Sequence, residues 1–121
     1  MKKVAIIGGG ISGLFIANLF KRNSNYQVTV YEKNNSLNLD EGYGIQLSVN
    51  SVKLLNQIEF DKFKDDKKFN PTKINFYSIK SLEKICDLDI SDFNSDDIKY
   101  TTLKRSDLIN LIVIKSLIQK K

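Results

Sequence analysis

Gly8, Gly10 and Gly13 spell G-x-G-x-x-G between a short apolar run, Val4 to Ile7, and a longer apolar segment that begins at Ile11. Glycines at this spacing can hold a pyrophosphate. The first permits a tight turn, the second lets the backbone approach the phosphates, and the third lets a helix pack closely on a strand. A helix starting at Ile11 would add N–H groups without intrahelical acceptors and about half a positive charge. Ala17 extends the pattern to G-x-G-x-x-G-x-x-x-A, and Glu32 follows nineteen positions after Gly13. A carboxylate there can accept hydrogen bonds from the ribose hydroxyls of an adenine dinucleotide and disfavours a 2′-phosphate. The ligand expected is FAD or NAD rather than NADP. The same residues could also form a glycine turn with an exposed Glu and no ligand. The order strand, turn, helix, Ala, Glu favours the dinucleotide.

To bring these residues together the chain must fold locally as β-α-β. Val4 to Ile7 reads as a strand buried on both faces. Ile11 to Arg22 reads as a helix with Leu14, Phe15, Ala17 and Leu19 among its packing residues. Lys21 and Arg22 suit its C-terminal end, and Asn23 to Asn25 would close it, Asn tolerating the left-handed conformation. Val28 to Tyr31 is a second β-branched strand, and the crossover between two parallel strands is right-handed.

Further along, Asn34 to Glu41 is polar and loop-like, and Tyr43 to Leu47 could be a short strand. Asn50 to Ile58 reads as a helix with Asn50 as its N-cap. Asp61 to Asn70 is charged and loop-like, with Pro71 at its end. Lys73 to Ile79 and Lys84 to Ile90 form a hairpin with its turn near Lys80–Ser81, and an acidic loop runs from Ser91 to Asp97. Ile98 to Leu103 is a further short strand. Ser106 to Gln119 is a helix apolar over most of its circumference, which expects burial on several sides although the visible chain offers little to cover it.

Composition narrows the chemistry. The 121 residues make one domain or part of one. With no His, neither a Ser-His-Asp set nor a His-ligated metal site is possible, and the single Cys86 excludes an internal disulfide and a thiolate cluster. Redox or group-transfer chemistry would therefore come from a bound cofactor. The formal charge is +5, and of 19 basic residues all but Arg22 and Arg105 are Lys. The richest basic stretch, Lys62 to Tyr77, is preceded by Asp61 and interrupted by Asp65 and Asp66, so a solvated mixed-charge face is expected rather than a nucleic-acid partner. The charge-free run Val4 to Phe20 follows Lys2 and Lys3 like a signal peptide, but glycines interrupt it and no small-x-small site follows. No membrane span is expected, and the unpaired Cys86 suits a reducing, cytoplasmic setting.

Three stretches resemble one known family. KKVAIIGGGISGLFIANLF followed by VTVYEK is similar to the N-terminus of the FAD-dependent aromatic hydroxylases, the single-component flavin monooxygenases. Glu41 to Asn50 resembles the family's G-x-G-I-x-L-x-P-N segment, with Val49 in place of Pro, and Arg105-Ser-Asp-Leu108 with Leu111 resembles its R-x-D-L-x-x-x-L segment. The resemblance runs in order along nearly the whole chain and is least specific in the hairpin. It implies an α/β, Rossmann-like β-α-β FAD-binding fold, incomplete, with a hairpin insertion and a C-terminal apolar helix. Residues 1–33 would be the dinucleotide motif, about 72–91 a hairpin of the substrate-side sheet, and 105–121 the helix.

By that resemblance Gly8, Gly10, Ile11, Ser12 and Gly13 would hold the FAD pyrophosphate, and Glu32 the adenosine ribose. Lys33 stands where the family often has Arg, so a point charge replaces a planar fork. Gly44 and Ile45 would lie near the flavin through their backbones, and Arg105 would reach back toward the FAD. No side chain here would be catalytic and no metal is implied. In the complete enzyme NAD(P)H would reduce the FAD, and the reduced flavin would use oxygen to hydroxylate a small aromatic substrate. The family's later Asp-Gly and Gly-Asp motifs have no match here. The alternatives are a non-catalytic remnant or split-gene subunit that needs a second chain, and an FAD- or NAD-binding oxidoreductase of another class. The 121 residues alone are expected to have no hydroxylase activity.

Overall fold

The computed structural model describes residues 1–34 and 42–114. The loop expected up to Glu41 and the end of the last helix therefore lie largely outside the described residues. The chain begins with β1 (Lys2–Ile7), α1 (Ile11–Lys21) and β2 (Tyr26–Tyr31). β1 and β2 pair in parallel from Lys2↔Tyr26 to Ile7↔Tyr31, so the expected β-α-β unit is present. Val4 and Ile6 turn toward the protein and are half-buried, as is Val28, while Val30 is fully buried. Ala5 and Ile7 are exposed, Ile7 to 82%. The expectation of a strand buried on both faces is thus corrected. Among the described residues this sheet has two strands, and a β-strand sends alternate side chains to opposite faces, of which one is left uncovered there.

α1 does not end in a left-handed Asn. Arg22 keeps right-handed helical angles and donates its N–H to the Leu19 carbonyl, and the Asn23 N–H donates to that of Phe20. The helix is closed by its own backbone, which leaves Asn23 nothing to terminate.

β3 (Gly44–Leu47) leads into α2 (Val49–Asn56). The N-cap is Ser48, whose hydroxyl accepts the Ser51 N–H at 3.5 Å, and not Asn50, which lies inside the helix. Val49 is the first helical residue, a position that also suits the proline of the resembling segment. Two single-turn 3₁₀ helices, Phe60–Lys62 and Asp65–Lys67, fall in the stretch that reads as loop or a frayed turn from Asp61. β4 (Lys73–Tyr77) and β5 (Lys84–Asp89) form the expected hairpin, and Leu82 in its turn takes a positive φ of 57°. The strand expected over 98–103 is confined to β6 (Thr101–Lys104), which pairs antiparallel with β3 from Gly44↔Lys104 to Leu47↔Thr101. Phe69 and Thr102 exchange two backbone hydrogen bonds on the other edge of β6. α3 (Arg105–Ile114) follows immediately.

The core gathers where the three helices meet β6. Leu14, Leu55, Phe60, Leu103, Leu108 and Ile112 form its centre. α3 therefore has the partners that its composition called for: Leu108, Ile109 and Ile112 are buried against α1, α2 and Phe60. The expectation that this helix lacks cover is corrected for its described turns. Long-range packing on α1, with β6 beside it, supplies most of that surface, which no local pattern announces.

One buried polar group fixes how α1 meets α3. Asn18 is 4% exposed, and its Nδ2 donates to the Leu14 carbonyl at 2.8 Å and to the Ile112 carbonyl at 3.1 Å. Asn18→Ala removes both bonds and leaves a gap between the helices. The expected loss is about 1–3 kcal/mol of stability, read as a lower urea midpoint at unchanged slope.

The hairpin stands apart. It is hydrogen-bonded to no other strand among the described residues, and every residue of β5 is exposed. Its register places Ile74, Phe76, Cys86 and Leu88 on one face. The other face carries Lys73, Asp87 and Lys84, with Asp87 within 2.5 Å of Lys84 and 3.6 Å of Lys73. An isolated two-stranded hairpin is marginal in water, so its apolar face is a surface without a counterpart.

Candidate functional site

The glycine turn sits between the ends of β1 and β2. Gly8 has φ +104°, a conformation that L side chains rarely adopt, and its N–H donates to the Tyr31 carbonyl at 2.8 Å. Gly9 is buried and its N–H donates to Glu32 Oε2 at 2.6 Å. Gly10 has extended angles and caps α1, its carbonyl accepting the Leu14 N–H at 2.9 Å. No side chain caps this helix. The N–H groups of Gly10, Ile11, Ser12 and Gly13 have no acceptor among the described residues.

Each motif glycine has a distinct reason. A Cβ on Gly13 would enter the Gly8 carbonyl and lie 3.4 Å from the Ile6 side chain, so this glycine serves the helix-on-strand contact. A Cβ on Gly10 would meet nothing within 4 Å. Protein packing thus gives no reason for glycine at position 10, and the space beside it opens next to the unbonded N–H groups. That is the shape of a cradle for a phosphate at a helix start.

Glu32 follows β2 directly and lies at the same turn. Its Oε1 accepts the Asn34 N–H at 3.0 Å while Oε2 accepts that of Gly9. The Asn34 N–H, then the Gly9 N–H, then the Lys33 N–H hold the carboxyl below the usual Glu range, with a smaller pull from the Lys33 ammonium. Lys33 is itself exposed, as is Ser12.

The second group of expected residues comes together at the β3–β6 pair. Gly44 opens β3 opposite Lys104, and the Arg105 N–H donates to the Tyr43 carbonyl at 3.2 Å. A Cβ on Gly42 would lie 3.3 Å from the Cβ of Arg105, so the two segments touch. The Ile45 side chain packs on the core, and only its backbone can serve a ligand. A groove of about 400 Å³ lined by Ile11, Ser12, Phe15, Leu47, Ser51 and Leu54 runs from the start of α1 to the end of β3.

Gly9, Asn34 and Tyr31 take part in the turn and escaped the sequence reading. The run of three successive glycines, one more than the motif requires, was the signal for Gly9. Among the described residues no cluster of His, Cys, Asp or Glu could hold a metal ion, and no helix is long and apolar enough to cross a membrane.

This geometry defines an α/β chain that opens on a Rossmann-like dinucleotide unit. The NAD(P)-binding Rossmann-like domain family matches residues 6–40. No curated protein matches the sequence. Among solved structures, a tetrameric form of 2-methyl-3-hydroxypyridine-5-carboxylic acid oxygenase matches with a TM-score of 0.79 and 18% identity, over 99% of this chain and 31% of that one. HpxO of Klebsiella pneumoniae, as an R204Q variant complexed with FAD, gives a TM-score of 0.77 and 17% identity over 99% and 31%. The 2,6-dihydroxypyridine-3-hydroxylase of Arthrobacter nicotinovorans gives 0.65 and 19% over 92% and 25%. The fold of this chain is therefore the one these oxygenases and hydroxylases carry in the matched part, and the chain spans under a third of their length.

Proposed function

We propose that this chain is the FAD-binding N-terminal portion of a flavin-dependent monooxygenase. The observation that carries the reading is the empty Cβ position of Gly10 beside four N–H groups without acceptors, with the Glu32 carboxylate at the same turn. Gly10, Ile11, Ser12 and Gly13 would bind the pyrophosphate, with Gly8 shaping the turn, and Glu32 would bind the adenosine ribose. Lys33 would flank the adenosine end as a point charge. Gly44, the Ile45 backbone and Arg105 would face the flavin end. FAD, when bound, supplies the redox chemistry, with NAD(P)H as reductant, oxygen as co-substrate and a small aromatic molecule as substrate. The FAD complex of HpxO and the presence of a hydroxylase among the matched structures support this choice of cofactor over NAD. The touching segments at Gly42 and Arg105 support it as well. The free thiol of Cys86 on an exposed strand suits a cytoplasmic setting.

A flavin titration tests the reading. The chain is expected to bind FAD stoichiometrically. Gly10→Val, whose side chain projects into open space, should keep its circular dichroism and lose FAD affinity by at least roughly a hundredfold. Absence of FAD binding by the unmodified chain would refute the cofactor assignment.

A second reading has its own observation. Ile7, Leu54, Ile85 and Leu88 are each at least half exposed, and among the described residues each of the three sheets has two strands. Such surfaces suit a portion that reaches its working form only with further polypeptide packed on it.

A further inference from the structure

We propose that Glu32 is a positioning residue for the glycine turn. Its carboxylate holds the Gly8–Gly10 backbone in the phosphate-binding shape before any dinucleotide arrives, and position 9 is glycine because Glu32 stands against it. The proposal rests on the dinucleotide reading for its purpose, though not for its geometry.

Three observations carry it. The end of β2 grips the turn at two successive points: the Tyr31 carbonyl takes the Gly8 N–H at 2.8 Å and Glu32 takes the Gly9 N–H at 2.6 Å. These two amides are used inside the protein, while those from Gly10 to Gly13 are left for a ligand. Next, a Cβ on Gly9 would lie 3.1 Å from Glu32 Oε2 and 3.3 Å from Glu32 Cβ, so even alanine must push the carboxylate aside. Gly10, one residue on, meets nothing. Lastly, Oε1 is anchored by the Asn34 N–H, so the carboxylate cannot swing away without breaking a second bond.

Each carboxylate oxygen has a further lone pair, so Glu32 can accept a ribose hydroxyl while still holding the turn. One side chain would then link the ribose position to the phosphate position. Pre-organised binding backbone raises affinity because the ordering cost is met before the ligand arrives.

The test separates this role from simple ribose recognition. Inorganic pyrophosphate has no ribose. If Glu32 only binds ribose, Glu32→Ala removes a repelling anion and should leave pyrophosphate affinity equal or higher. If Glu32 positions the turn, Glu32→Ala should weaken pyrophosphate and ADP alike, by roughly tenfold or more. Gly9→Ala should do the same without touching either ligand. Independently of any ligand, the Gly9 and Asn34 amide proton resonances of the unmodified chain should move together in an acid titration. A lowered Glu pKa means the bonded, charged form persists above the folded-state midpoint and is lost as pH falls through it; that midpoint lies below the ordinary Glu range. Lys33 is the charged neighbour acting on it. Glu32→Gln should abolish the movement. A Gly9 amide that does not titrate, or pyrophosphate bound equally well by Glu32→Ala, would overturn the proposal. Should the unmodified chain bind neither probe, the dinucleotide reading fails while the amide titration still decides the role of Glu32.

Discussion

Gly13→Val is expected to prevent the β-α-β unit from closing, and with it most of the fold. The Cβ alone would clash severely with the Gly8 carbonyl oxygen, which belongs to the backbone and cannot rotate away as a side chain can. Gly8 in turn holds φ +104° and is bonded to Tyr31, so it has no room to yield. Relief requires α1 to lift off β1. That motion separates Leu14, fully buried one position later, from Leu108 and Ile112. Overpacking in a well-filled core costs about 1–3 kcal/mol where side chains can adjust, and more where backbone must move. The expected result is loss of the cooperative urea transition and of much of the helical circular dichroism. A Gly13→Val chain that unfolds at the same urea concentration as its parent would show that the helix does not ride on this contact. The contrast with Gly10→Val is the informative part: substitutions three residues apart should divide folding from ligand binding.

Phe60→Ala should have the second largest effect. Phe60 is 1% exposed, follows α2 and belongs to the core cluster with Val52, Leu55 and Leu103. Its ring stacks on Phe63 at 6.2 Å, and the Lys68 Nζ lies 5.4 Å above it. Truncation opens a cavity in the core cluster beside α2 and takes the aromatic face from beneath a cation. Phe→Ala at such sites costs about 3–5 kcal/mol, against a total of about 5–15 kcal/mol for an ordinary domain. The expected outcome is a chain largely unfolded at 37 °C, read by thermal denaturation. Phe60→Leu, which keeps most of the apolar volume, should recover most of the loss. Equal transitions for the Ala variant and the parent would place Phe60 outside the core.

The legible parts of this fold are the local ones. Residues 2–31 could be read because apolar runs, glycine spacing and the closing Glu all lie within one supersecondary unit. The hairpin was legible for the same reason, its two β-prone runs being separated by a short polar turn. What escaped was decided at a distance. Asn18 reads as an interruption in an apolar helix and becomes its anchor to a carbonyl 94 positions away. Ser48 and Asn50 are both good caps on paper. The choice went to Ser48, so that Val52 and Leu55 face the core. β1 reads as doubly buried because its composition is that of a strand inside a larger sheet. Of the candidate site, Gly8, Gly10, Gly13 and Glu32 were legible as a motif. The bond from Glu32 to Gly9 was not, since it depends on how the strand end curls over the turn.

The pairing of β3 with β6 sets a timetable for synthesis. Gly44 finds its partner Lys104 sixty positions later, and Phe69 finds Thr102 thirty-three positions later. At about 5–20 residues per second, β3 waits roughly 3–12 s after its own translation before its partner strand exists. The β-α-β unit waits far less, since Tyr31 completes it. A nascent chain would therefore carry an unpaired strand holding Ile45 and Leu47, with Leu14 of α1 still awaiting Leu108 and Ile112. During that interval, factors that shield emerging apolar segments have their longest access to residues 44–60.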